Sequence, residues 1–231
     1  MLEIYPSTAA LADAAAHDVG QRLTEGWKTR GRATLVATGG RSPGPVYDRL
    51  REAPVDWARV VVTLSDERCV APDAPDSNAR LLRERLFHGA AARAAFVSLW
   101  GEGLDPVAAA RGVEAAIRAM TPFDAVLLGM GEDGHVASLI PGMPGLAQAM
   151  DPQGSRLVEV APAGWGSPPL ARITLTLAAL LQARAILLLV AGDAKRQVID
   201  AALAGADLPV RGILAQDRVP VRVLWAPKLE H

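Results

Sequence analysis

The sequence predicts an α/β protein built on a doubly wound, mainly parallel sheet flanked by helices. Apolar runs of strand length recur at 33–38, 60–64, 96–99, 125–128, 157–160, 185–191 and 221–225. Most are continuous rather than alternating, as in "RVVVTL" and "AILLLVAG", the pattern of strands covered on both faces. Helical patterns fill the gaps, and such β–α alternation favours a parallel sheet between helix layers.

Taken in order, the first helix is expected over 7–25, where Leu11, Ala15, Val19 and Leu23 recur every four residues behind the candidate cap Ser7. Strand 33–38 runs into Gly39, Gly40, Arg41, Ser42 and Pro43, a turn that opens a further helix. Strand 60–64 runs into Asp66, Glu67 and Arg68, whose adjacent opposite charges suit either a structural ion pair or a site. Asp76, Ser77 and Asn78 are candidate caps for a helix carrying Leu81, Leu82 and Leu86. After strand 96–99, Asp105-Pro106 reads as an N-cap followed by proline at the first helical position, with Val107 and Ile117 on the helix. Strand 125–128 leads into "LGMGEDGHVASLIPG". Strand 157–160 follows, and "APAGWGSPPLARITL" then reads as a loop, with Arg172 ahead of a Thr-rich turn and an apolar helix. Strand 185–191 leads to a helix that Asp193 can cap, carrying Val198, Ile199 and Leu203 and ending at Gly205. One domain is expected over 1–228, with 229–231 an expression-tag remnant.

Composition narrows the class. A chain of 231 residues, 50% of them apolar, can bury one sizeable core. A net charge of −1 and no basic run leave no electrostatic footprint for nucleic acid. The lone Cys69 permits no internal disulfide and suits the reducing cytoplasm; a buried, inert thiol is its expected state. The N-terminus lacks the basic and apolar regions of a signal peptide, and the longest apolar run, 185–191, is too short to span a membrane. With neither an arm nor a coiled coil in the pattern, a monomer is expected.

In doubly wound folds, chemistry gathers where the carboxyl ends of strands meet loops. Gly39, Gly40 and Ser42 offer backbone amides at a helix start, which suits a phosphate, although the segment is neither a Walker loop nor G-x-G-x-x-G. His135 sits in a glycine-bounded turn, two residues from Asp133. Histidine exchanges a proton near neutrality, so the residue is either a general base or turn decoration. No metal-ligand spacing accompanies it. Lys195, at a helix N-terminus, opposes the helix dipole and is either a solvated surface lysine or the neighbour of a bound anion.

In order, these segments resemble the glucosamine-6-phosphate isomerase/6-phosphogluconolactonase family, from about residue 5 to residue 226. "TGGRSP" resembles S-G-G-S-T-P, "SDERCV" with "DSNARL" resembles D-E-R-x-V with S-N, and the His135 stretch resembles L-G-M-G-x-D-G-H-T-A-S-L-F-P-G. "RITLT" and "GDAKRQVI" resemble its R-I-T and G-x-x-K elements. The resemblance implies hydrolysis of a sugar-phosphate lactone, 6-phospho-D-glucono-1,5-lactone, without metal or other cofactor. It implies His135, Asp133 and Arg68 as catalytic residues, with Arg68 meeting either the reacting carbonyl or the phosphate. Gly39, Gly40, Arg41, Ser42, Asp66, Asn78, Arg172 and Lys195 are its implied substrate- and phosphate-binding set. Arg41 stands where the family commonly has a small hydroxyl residue, Val136 replaces threonine and Ile140 replaces phenylalanine. The deaminases resemble D-G-H-I-A-F-N-E, with a glutamate five residues after the histidine; Ile140 at that position cannot accept a proton. A hexosamine-phosphate deaminase and a non-catalytic sugar-phosphate sensor are the alternatives.

Overall fold

The structure, a computed structural model, describes residues 2–227, so the tail 229–231 lies outside the described residues. Its larger sheet is made of β1 (Leu2–Ile4), β2 (Ala33–Ala37), β3 (Val60–Leu64), β5 (Ala95–Phe96), β6 (Ala125–Gly129), β9 (Ile186–Ala191) and β10 (Val221–Ala226). The spatial order is β1-β10-β9-β6-β2-β3-β5, and neighbours pair in parallel. The central strands are apolar because both faces are covered: β2 is buried along its whole length, as is β6 up to Leu128. Burying one such side chain, Leu127 for example, contributes roughly 1.5–3 kcal/mol.

Helix α1 (Thr8–Arg30) lies against β2, β6, β9 and β10. It starts at Ser7, whose hydroxyl accepts from Ala10 N at 3.1 Å, and stops at Gly31 in the left-handed region (φ 76°). The remaining helices are α2 (Gly44–Leu50), α3 (Asn78–Arg85), α4 (Pro106–Met120), α5 (Leu146–Ala149), α6 (Leu177–Leu180), α7 (Asp193–Leu203) and α8 (Pro209–Leu214). Asp105 caps α4 as its sequence signature predicts, accepting from Ala108 N at 3.0 Å.

A second sheet departs from expectation. Short strands β4 (Asp66–Arg68), β8 (Arg172–Leu175) and β7 (Val158–Ala161) pair antiparallel in the order β4-β8-β7. The apolar run at 157–160 therefore belongs to this sheet and not to the parallel one. "RITL" is a buried strand rather than a turn, and "DER" is a strand edge rather than a loop. Continuous apolar runs mark burial on two faces but cannot say which sheet does the burying. The run at 96–99 shrinks to a two-residue edge strand, and β1, three residues long, is too short to leave a pattern. Asp193 does not cap α7 with its side chain; Gly192 holds that position.

From β2 the chain winds outward through β3 to β5, then returns to β6 on the other side of β2 and winds out through β9 to β10. The winding reverses between β2 and β6. Their carboxyl ends therefore flank a crevice that no crossover covers, the place where such sheets bind ligands.

Candidate active site

The loop after β6 carries His135. Gly134 N donates to Gly131 O and Gly131 N to His135 O, closing a tight turn. Asp133 Oδ1 lies 2.6 Å from His135 Nδ1 and also accepts from His135 N at 3.2 Å. The hydrogen bond to His135 holds the Asp133 carboxyl below its usual range. An ionised carboxylate only accepts, so Nδ1 carries the proton and Nε2 is the ring nitrogen Asp133 leaves unengaged. Gly131 makes room for this pair: a Cβ there would sit 2.3 Å from His135 Nδ1 and 2.4 Å from Asp133 Oδ1.

Across the crevice, the loop after β2 is pinned by Tyr47, a buried residue of α2. Its hydroxyl donates to Thr38 O at 2.6 Å and accepts from Thr38 N at 2.8 Å. Burial pushes this phenol up, so it stays protonated. Gly39 passes so close to Asn78 that a Cβ would lie 1.9 Å from Asn78 Oδ1. Asn78 in turn donates to Asp66 O at 2.8 Å, tying the loop, β4 and α3 together.

Glu67 is not the ion-pair partner of Arg68. It is buried, and its two oxygens accept from the backbone N–H groups of Arg68, Asn78 and Ala79 at 2.7–2.8 Å and from Ser77 Oγ at 3.2 Å. Burial pushes its carboxyl up against these hydrogen bonds. It thereby fastens the N-terminus of α3 to β4, which sets Asn78 and Arg68 in place. Of the three candidate caps Asp76, Ser77 and Asn78, it is Ser77 that caps the helix, accepting from Arg80 N at 3.1 Å.

These loops enclose a cavity of about 270 Å³. Gly39, Gly40, Arg41, Ser42, Asp66 and Asn78 line it, as do Arg68, His135, Arg172 and Lys195. Asp133 does not line the cavity; it stands behind His135 and can act only by positioning it. Four cationic side chains (Arg41, Arg68, Arg172 and Lys195) meet one carboxylate, Asp66, in this lining. Arg172 is 2% exposed and donates from Nη2 to Pro168 O at 2.8 Å. Burial pulls its guanidinium below the usual range. Arg68 donates from Nη1 to Asp76 O at 2.6 Å, and the Nε atoms of both Arg68 and Arg172 are buried without a hydrogen-bond partner. A cavity with this lining suits a small polyanion more than a neutral ligand. Lys195 stands in the first turn of α7 and Arg41 is exposed at the rim. Among the described residues, no cluster of three or more His, Cys, Asp or Glu is placed to hold a metal ion. Nor is any described helix long and apolar enough to cross a membrane.

Tyr47 escaped the sequence reading. It lies in a plain helical pattern, and nothing in its spacing marks the hydroxyl that pins the loop after β2.

The model of the family described as glucosamine-6-phosphate isomerases/6-phosphogluconolactonase matches residues 6–225. The chain belongs to this family. It is 45% identical to a 6-phosphogluconolactonase of Caulobacter vibrioides, with 97% of each chain covered. It is 40% identical to a 6-phosphogluconolactonase of Pseudomonas aeruginosa over 98% of this chain and 94% of that one. Among solved structures, a 6-phosphogluconolactonase from Shewanella baltica superposes with a TM-score of 0.89 at 34% identity, covering 98% of this chain and 97% of that one. A monomeric glucosamine-6-phosphate deaminase, 20% identical with a TM-score of 0.77 and covering 97% of this chain and 96% of that one, shares the fold.

Proposed function

We propose that this chain hydrolyses 6-phospho-D-glucono-1,5-lactone to 6-phospho-D-gluconate, a step of the oxidative pentose phosphate pathway. The relatives' names support the substrate. The observation that carries the chemistry is the His135–Asp133 pair, closed at 2.6 Å, beside a cavity lined by four cations.

In this reading His135 Nε2 takes a proton from water as the water oxygen attacks the lactone carbonyl carbon. The developing oxyanion is stabilised by Arg68 and nearby N–H donors. As the intermediate collapses, the bond from the carbonyl carbon to the ring oxygen breaks and the imidazolium returns its proton to that oxygen. The carboxylic acid formed then ionises to solvent. Asp133 fixes the tautomer and stabilises the transient imidazolium. The phosphate rests on the amides of 39–42, with Arg172 and Lys195 neutralising it. No metal and no other cofactor enters this scheme. Ile140, apolar and 3% exposed, offers no proton acceptor for the additional transfers of a deaminase.

The test is a lactonase assay on freshly generated substrate. His135→Ala should lower kcat by about 10²–10⁴-fold, the usual range for a general acid–base group, with the fold intact. A folded variant with near-wild-type kcat refutes the assignment. The reading takes the chain as a cytoplasmic monomer, which sedimentation at micromolar concentration checks for the oligomeric state.

A further inference from the structure

One buried hydroxyl near the cavity has no place in this mechanism. Ser138 is fully buried. Its Oγ donates to Asp66 Oδ2 at 2.6 Å and lies 3.5 Å from Arg172 Nη1, from which it accepts. Its backbone N donates to Thr174 Oγ1 at 3.0 Å, which ties it to β8, the strand that carries Arg172. The residue before it, Ala137, is held in the left-handed region (φ 51°), which an alanine adopts only when its surroundings impose it. That backbone turn aims Ser138 inward, within hydrogen-bond reach of both the carboxylate and the guanidinium.

The spacing of these groups matters. Arg172 Nη1 is 4.0 Å from Asp66 Oδ2, at the outer limit of an ion pair, while both side chains are almost wholly buried. In such surroundings attraction between the two charges is strong, and a direct, bidentate pair is the arrangement they would otherwise adopt. Ser138 Oγ stands to one side of that gap and engages the carboxylate oxygen nearest the guanidinium in its own 2.6 Å hydrogen bond. Arg172 keeps an unpartnered Nε and donates to only one carbonyl at short distance.

We propose that Ser138 is a positioning residue that keeps Asp66 from capturing Arg172, and so leaves the guanidinium available to the phosphate of the substrate. The proposal rests on the lactonase reading only for the identity of the ligand. Without the hydroxyl, Asp66 draws the guanidinium into a closed pair, and a phosphate must compete with a carboxylate for it.

The test is calorimetric binding of 6-phosphogluconate, with unphosphorylated gluconate for comparison. Ser138→Ala should weaken 6-phosphogluconate about tenfold and leave gluconate unchanged. Capture predicts more than mere loss of packing. In the Asp66→Asn background, where no carboxylate remains to compete, adding Ser138→Ala should cost less than twofold. A tenfold loss that persists in that background, or unchanged binding in Ser138→Ala alone, overturns the proposal. If Ser138→Ala fails to fold, Ser138→Cys fills the site with a slightly larger side chain and a weak donor, and it takes the same place in the cycle. Wild-type protein that binds 6-phosphogluconate with this coupling but turns over no lactone refutes the lactonase reading and leaves Ser138 in its role. Wild-type protein that does not bind the phosphosugar overturns the proposal.

Discussion

Replacing Gly39 by alanine adds one methyl group and probes the site and the fold together. The new Cβ would stand 1.9 Å from Asn78 Oδ1, 2.3 Å from its Cγ and 2.7 Å from its Nδ2. None of these separations is tolerable, so something must move. Asn78 is 3% exposed and its Nδ2 is committed to Asp66 O at 2.8 Å, so the side chain cannot swing aside without breaking that bond. Overpacking costs about 1–3 kcal/mol, and a buried donor left unsatisfied costs about as much again. Alanine restrains the unfolded chain and offsets about 0.4–1 kcal/mol. The net expectation is a loss of about 2–4 kcal/mol, read from urea unfolding at unchanged m. The same displacement moves the amides of 39–42, so KM for the phosphorylated lactone should rise. Gly112 supplies the internal control. It lies within α4, where a Cβ meets nothing within 4 Å, and Gly112→Ala should be neutral or stabilising by up to about 1 kcal/mol. The double variant Gly39→Ala/Asn78→Ala should recover part of the packing loss. If Gly39→Ala unfolds at the wild-type urea concentration and keeps its KM, the close approach of loop and Asn78 is not what holds this side of the crevice.

Asp133→Asn should lower kcat by about 10–10²-fold with little change in KM, because the carboxylate positions His135 without lining the cavity; a KM effect alone would contradict that division. Lys195→Ala should raise KM for the phosphorylated lactone at least tenfold and hardly change turnover of unphosphorylated gluconolactone, and equal effects on both substrates would remove its phosphate-specific role. Far from the site, Arg222 donates to both oxygens of Glu3 at 2.6 Å, and this hydrogen bonding lowers the Glu3 carboxyl from its ordinary 4.5 to about 2. A depressed carboxylate stabilises the fold above its unfolded-state value and loses that contribution as pH falls toward the folded one. Wild-type protein should therefore lose more stability between about pH 4.5 and 2 than Glu3→Gln, measured by thermal unfolding across that range; parallel curves would contradict it.

The comparison of sequence with structure divides by the range of the interactions involved. Local patterns determined the caps at Ser7, Ser77 and Asp105, because each rests on a side chain and an amide three residues away. Continuous apolar runs determined β2, β3, β6 and β9, because burial on both faces leaves that trace in the sequence itself. The ordered motifs brought out the cavity-lining residues; the loop after β2 and the His135 turn follow strand ends, whereas Asp66, Arg68 and Arg172 lie in short strands of the second sheet. The antiparallel sheet β4-β8-β7 was not legible: its three strands come from distant parts of the chain, and no local period records the pairing. Nor was the place of Asp133 behind His135 fixed by their spacing, for a two-residue separation allows either side chain to face the crevice. The Ser138 hydroxyl, bonded to both Asp66 and Arg172, is the clearest case, since these three residues are far apart in the chain. The sequence by itself determined which chemical groups this protein places at its strand ends. Only the tertiary structure decided which of them meet, because the separation of two side chains depends on how the sheets pack and not on their distance along the chain.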